Sequence, residues 1–199
     1  MDGTQMVNDK FTATRTPIRA IDATVRIRAI VPSDADNYRS ILQRTSAEDR
    51  YCRFFHVVDH FDDAAVDSYV KASPDTIGLI AEKHGQPLGV AHAFFIDEGC
   101  AETAFVVAND ARHLGVGRLL FERLIVALQQ RPCTSVIAYA LAQNGPFSNL
   151  ARSFGMRPRS DDGGIVTWTL SLAGSRPALH PRVTSAPSVD GLQTPPIAA

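Results

Sequence analysis

One stretch constrains the possible folds of this chain more than any other: Ala101 to Leu124, AETAFVVANDARHLGVGRLLFERL. A strand-like apolar run, Ala104 to Val107, turns through Asn109, Asp110 and Ala111 into Arg112-His113-Leu114-Gly115-Val116-Gly117. A helix follows, with Leu120, Leu124 and Leu128 on one side beside Phe121 and Ile125. Arg118, Glu122 and Arg123 fall opposite, the pattern of a helix lying on a sheet. The first N–H groups of a helix have no partner within it, and the macrodipole makes that end favour negative charge. Gly115 and Gly117 remove side chains that would hold a ligand off the backbone. The stretch reads as a cradle for a pyrophosphate, although two isolated glycines also fit a plain tight turn.

The flanking pattern extends this unit into a sheet. Val25 to Val31 alternates apolar residues with Arg26 and Arg28, a half-buried strand. Pro32-Ser33-Asp34-Ala35-Asp36 opens a helix, with Ser33 as cap and Asp36 three residues on. Ser46 to Phe55 and Asp62 to Lys71 are further helical segments, the second ending before Pro74. Ile77 to Glu82, Leu88 to Ile96 and Cys100 to Val107 read as successive strands joined by tight turns. Beyond the central helix, which Pro132 stops, the apolar run Ser135 to Leu141 predicts a strand covered on both faces. Asn144-Gly145-Pro146 begins a last helix, and Ile165 to Leu170 closes the fold as a strand. The order predicts an α/β protein of the α+β type, with one mixed, mostly antiparallel sheet flanked by helices on both faces.

The polar leader, residues 1–21, and the Pro-rich segment 174–199 offer little apolar surface to offset their ordering entropy. They are expected to be a flexible leader and a disordered tail around a single domain at 22–173. A net charge of −1 gives no global attraction to nucleic acid or an anionic membrane, so any anion site must be local. No apolar run approaches the roughly 18 residues of a spanning helix, and the leader lacks a signal-peptide core. A cytoplasmic protein is the expectation. Cys52, Cys100 and Cys133 show no C-x-x-C spacing and the six histidines do not cluster, so no metal is expected.

Arg112-His113-Leu114-Gly115-Val116-Gly117 resembles the acetyl-CoA signature of the GCN5-related N-acetyltransferase (GNAT) superfamily: Arg or Gln, two residues, Gly, one residue, Gly or Ala. The positions of a second family motif, Asn-x-x-Ala-x-x-Leu-Tyr-x-x-x-Gly-Phe, are occupied in register by Asn144, Phe147, Leu150, Ala151, Gly155 and Met156, a resemblance carried by Asn144, Leu150 and Gly155. The family's frequent tyrosine, a general acid toward the departing CoA thiolate, falls at Ala151. Tyr139 and Ser148 remain as proton donors, neither at a family position, and no acid is assigned. Ser46 to Phe55, ending Tyr51-x-Arg53-Phe54-Phe55, and Ala101-Glu102-Thr103-Ala104 resemble bacterial protein-lysine acetyltransferases, which act on partners such as acyl-CoA synthetases.

That resemblance implies a GNAT fold, acetyl-CoA as co-substrate, and a primary amine as acceptor, with a protein lysine favoured. It implies Glu102 as general base. It also implies cofactor contacts at Phe105, Val106 and Val107, where the strand splays from its neighbour. Around the pyrophosphate it implies Arg112, His113, Leu114, Gly115, Val116, Gly117 and Arg118, with Asn144 on the cofactor arm or capping its helix. The residues themselves leave alternatives: Glu102 as a solvated carboxylate, Arg53 as a packing anchor, a small-molecule amine as acceptor, or an acyl-CoA-binding module without turnover.

Overall fold

The computed structural model describes residues 24–58 and 61–172. The expected leader and tail lie outside the described residues. Seven strands form one sheet: β1 (Val25–Ala29), β2 (Thr76–Lys83), β3 (Gln86–Phe95), β4 (Cys100–Val107), β5 (Ser135–Leu141), β6 (Arg157–Asp162) and β7 (Ile165–Ser171). Their spatial order is β1-β2-β3-β4-β5-β7-β6, and of the paired neighbours only β4 and β5 run parallel. Three helices precede β2: α1 (Ala35–Gln43), α2 (Ala47–Phe54) and α3 (Asp63–Val70). Two follow β4: α4 (Val116–Gln129) and α5 (Gly145–Ser153).

Each sheet face has its own core. Leu120, Phe121, Leu124 and Leu128 of α4 and Ala151 of α5 pack with Val136, Ala138 and Trp168 on one face. On the other, Tyr38, Ile41 and Leu42 of α1 join Phe54, Val66 and Tyr69 against Ile80, Val90 and Val106. The central helix expected after the glycine turn is α4, and its four-residue leucine repeat supplies the buried stripe.

Three expectations need correction. Ser33 does not cap α1: Pro32–Asp34 form a 3₁₀ turn and the helix begins at Ala35. Asp34, 2 % exposed, stands at the N-cap of α1 without a side-chain bond to that helix's backbone and closes the 3₁₀ turn instead. Its oxygens accept from the Val31 N–H at 2.9 Å, from Asn37 at 2.8 Å and twice from Arg28 at 2.7 Å. The fixed guanidinium fork draws this carboxylate inward, while Asp36 stays at the surface and pairs with Arg39. Second, β5 is not covered on both faces: Val136, Ala138 and Ala140 are buried, whereas Ile137 and Tyr139 are only half-buried. Third, β6 was not among the expected strands. Its Arg-Pro-Arg opening lacks apolar alternation, and it lies at the sheet edge, where proline and charge are tolerated and discourage further pairing.

Candidate active site

The site begins where β4 and β5 part. β4 keeps register with β3 from Ala101 to Val107, but its pairing with β5 stops at Glu102↔Ile137. Ala108 N donates to Leu88 O and Ile96 N to Cys100 O, so the even-numbered residues of β4 bond toward β3. The N–H and C=O groups of Phe105 and Val107 therefore point into the gap beside β5. Beyond the last register pair, the Thr103 hydroxyl still donates to Ile137 O at 3.2 Å.

The glycine turn closes one end of this gap. Gly115 is the N-cap of α4 with φ +80°, and no side chain caps the helix. The first helical bond is Leu119 N to Gly115 O at 3.0 Å, which leaves the N–H groups of Val116, Gly117 and Arg118 without acceptors in the helix. His113 also takes a left-handed φ of 60°. A Cβ on Gly117 would meet only ordinary contacts, 3.7 Å from Val107 and 3.9 Å from Leu150. The unsatisfied donors and the positive helix end fit a pyrophosphate.

A cavity of about 510 Å³ runs from this turn through the gap to the α1–α3 side of the sheet. Its lining includes Glu102, Phe105, Val106, Val107, Arg112, His113, Gly115, Val116, Gly117, Arg118 and Asn144. Of the base and cofactor positions named from the sequence, Leu114 is absent from that lining; the residue is 49 % exposed. Asn144 caps α5 by accepting from Phe147 N at 3.0 Å.

Both arginines of the turn are engaged by protein carboxylates. Arg112 forms an ion pair with Asp49 of α2. Arg118 Nε approaches Glu122 at 3.1 Å without hydrogen-bond alignment, and its guanidinium lies over the Phe154 ring. Asp49, Cys52 and Arg53 of α2, with Thr45 and Phe55, form the far wall of the cavity. This α2 wall was not assigned in the sequence; the one available signal was the acid and arginine spacing on an amphipathic segment beginning at Ser46.

The alternation along β4 puts Phe105 on the α4 side, in edge contact with Phe121, and Val106 in the opposite core. Glu102 shares the face of Val106, so its carboxyl enters the cavity from the α1–α3 side. Burial raises its pKa, and the Arg53 cation opposes that rise. Tyr139 lines the same region of the cavity, and burial, then the Glu102 and Cys100 charges, raise its pKa, so the phenol holds its proton at neutral pH. Ser148, the other proton-donor candidate, is buried and outside the lining, and Ala151 is fully buried in the core. Among the described residues no cluster of three or more His, Cys, Asp or Glu is arranged to hold a metal. No described helix is long and apolar enough to cross a membrane.

The fold recurs in solved structures. The GNAT domain of the S. lividans PAT superposes with a TM-score of 0.71 at 24 % identity, over 74 % of this chain and 90 % of that one. The ribosomal-protein-S18-alanine N-acetyltransferase from Escherichia coli gives a TM-score of 0.63 at 17 % identity, covering 78 % of this chain and 99 % of the other. Spermidine N-acetyltransferase from Vibrio cholerae, in complex with CoA and spermine, gives 0.60 at 13 %, over 75 % and 96 %. The acetyltransferase (GNAT) family model matches residues 39–156, from α1 through the glycine turn to the end of the second motif. The chain therefore belongs to the GNAT family and is an acetyl-CoA-dependent N-acetyltransferase.

Proposed function

We propose that the domain, spanning residues 22–173, acetylates the side-chain amine of a protein lysine, with Glu102 as general base. The observation that carries this reading is the position of Glu102: on the cavity wall opposite the glycine turn, next to the open edge of β4. Among the described residues its carboxylate takes no hydrogen bond or ion pair, so its lone pairs are available. A lysine amine, with an ordinary pKa near 10.4, is almost wholly protonated at neutral pH and must lose a proton to react. Glu102 accepts that proton, directly or through one water. The amine nitrogen then bonds to the acetyl carbonyl carbon as the carbon–sulfur bond breaks, and the departing thiolate takes up a proton.

The chain's part in holding the co-substrate is assigned as follows. The N–H groups of Val116, Gly117 and Arg118, with Arg112, His113 and Gly115, receive the pyrophosphate. Phe105, Val106 and Val107 offer the exposed strand edge to the pantetheine arm, and Asn144 stands at the start of α5 beside it.

A protein acceptor is favoured by the Tyr51-x-Arg53-Phe54-Phe55 and Ala101-Glu102-Thr103-Ala104 segments, an acyl-CoA synthetase lysine being one such target. The likeness to the S. lividans PAT fits this reading, whereas the V. cholerae spermidine enzyme fits a small polyamine. The three free cysteines support a reducing, cytoplasmic setting. Incubation with labelled acetyl-CoA and a cell lysate should label discrete proteins above the non-enzymatic background. Turnover of spermidine or other small amines with no protein labelling would overturn the lysine assignment.

A further inference from the structure

Arg53, in the last turn of α2, stands apart from the other cations around the cavity. Arg112 is paired with Asp49, and Arg118 with Glu122. Among the described residues Arg53 has no carboxylate partner and donates no hydrogen bond. Rings hold it instead: its guanidinium carbon lies 4.9 Å from the Phe54 centroid and 5.8 Å from the Tyr69 centroid. Such faces attract a cation while leaving its charge unneutralised. Glu102 is its counterpart, a half-buried carboxylate lining the same cavity with no bonded partner.

We infer that Arg53 is a positioning residue for the transfer reaction: clamped on the Phe54 and Tyr69 rings, it keeps Glu102 ionised across the cavity without bonding to it. The inference rests on the reading of Glu102 as the base. Burial alone would push a carboxylate toward its neutral form, which cannot take a proton from an amine. A direct arginine bridge would err the other way, occupying the lone pairs and weakening the base. A cation held near but unbonded avoids both outcomes.

The other groups around Glu102 do not supply this charge. On β4, Cys100 is a thiol whose pKa burial raises, and on β5 Tyr139 remains a neutral phenol. On α2, Cys52 is likewise held as a thiol, mainly by burial, and Asp49 is engaged by Arg112. Beneath Arg53, His92 of β3 directs Nε2 to the Tyr69 carbonyl at 3.0 Å, so that nitrogen carries the proton. Its pKa is pushed down to about 4, by burial first and then by Arg53, so the ring is neutral at physiological pH. The phenol of Tyr38 is buried beside it, its pKa raised by burial, and it too is uncharged. At the turn, His113 is exposed on the far side of the cavity mouth.

The test is a direct titration of Glu102, by carbon-13 NMR of carboxyl-labelled glutamate in the full chain, with E102Q assigning the signal. R53M, which keeps an apolar stem on the rings, should move the Glu102 titration to higher pH. R53K should restore most of it. The acid limb of kcat/KM should shift in the same direction, with the loss of rate greatest at the acid end and small on the alkaline side. If R53M proves unstable, R53Q is titrated in its place, with thermal unfolding as the control for folding. An unchanged Glu102 titration in a folded neutral variant overturns the inference, because a purely structural anchor would behave that way. Parental activity in E102Q would instead remove the base assignment, while the titration would still decide whether Arg53 governs the carboxylate.

Discussion

Glu102 is exposed enough to meet a substrate and buried enough that burial raises its pKa. Replacing it with glutamine keeps the shape and removes the proton acceptor, so E102Q should lower kcat/KM by roughly 10²–10⁴-fold. Binding of acetyl-CoA should be retained, as measured by calorimetry, because the strand edge and the glycine turn are untouched. Asp34 shows a different use of a carboxylate. It is almost wholly buried and held by Arg28, whose guanidinium also reaches Glu82 at 3.1 Å. D34A would leave Arg28 with Glu82 alone and remove the acceptor of the Val31 N–H and Asn37, and should cost about 3 kcal/mol in chemical denaturation. The sequence displays both acids equally. What separates them is partnership: Arg28 lies on the neighbouring β1, whereas among the described residues the cation acting on Glu102 is Arg53, which arrives on α2 through tertiary packing. The spacing of Ser33 and Asp36 suggested a cap because local rules do not register an arginine waiting on the preceding strand.

Among the elements, the strand–turn–helix unit was the most legible, since its signals are local: apolar run, glycines, leucine stripe. The two glycines are nevertheless unequal. Gly115 needs its left-handed φ of 80°, which costs an L-residue roughly 1–2 kcal/mol. Gly117 has ordinary space around an added Cβ. G117A should therefore fold normally and bind acetyl-CoA close to the parent, whereas G115V should be destabilised and bind weakly, as read by thermal unfolding and calorimetry. Nothing local announces that Arg112 is held by Asp49 of α2, because the two residues meet only when α2 folds against the turn. That ion pair competes with any anion the turn receives. D49N should free Arg112 and tighten acetyl-CoA binding several-fold, with the gain shrinking as salt is raised. The edge strand β6 escaped the sequence pattern because its polar residues suit an edge, and they give no alternation to read.

For the molecule as a whole, acid should act in two stages. His92 is 1 % exposed and its pKa falls from 6.5 to about 4 on folding. Its contribution is full above about pH 6.5, where the unfolded ring is also neutral. It is lost as pH falls toward 4, because the unfolded chain then binds the proton that the folded one refuses. The loss is about 3 kcal/mol at 1.36 kcal/mol per unit. Asp34 adds a second stage: Arg28 holds its pKa well below the usual carboxylate range, so its contribution is present above about pH 4 and lost below it. Denaturation midpoints measured from pH 7 to 3 should fall along the first stage in the parent, and H92Q should flatten that stage even if its starting stability is lower. The outline of this architecture, a mixed sheet between two helical layers, follows from the element order. The division into two cores and the opening through the sheet do not, since both depend on where β5 stops following β4.

Mechanically, that opening makes the sheet two plates rather than one. β1 to β4 form one plate and β5 to β7 the other, and the parallel seam between them consists of three register pairs, Cys100↔Ser135, Ala101↔Val136 and Glu102↔Ile137. The base candidate sits on the last rung of this short seam. A molecule that lodges in the crevice would act as mortar, lending the plates the rungs that the chain itself omits. Amide exchange at Phe105 and Val107 should then slow on addition of acetyl-CoA by more than at Ala104 or Val106, whose N–H groups already face β3. Rigidity at the crevice would thus be borrowed from the substrate for each turnover and surrendered when the product leaves.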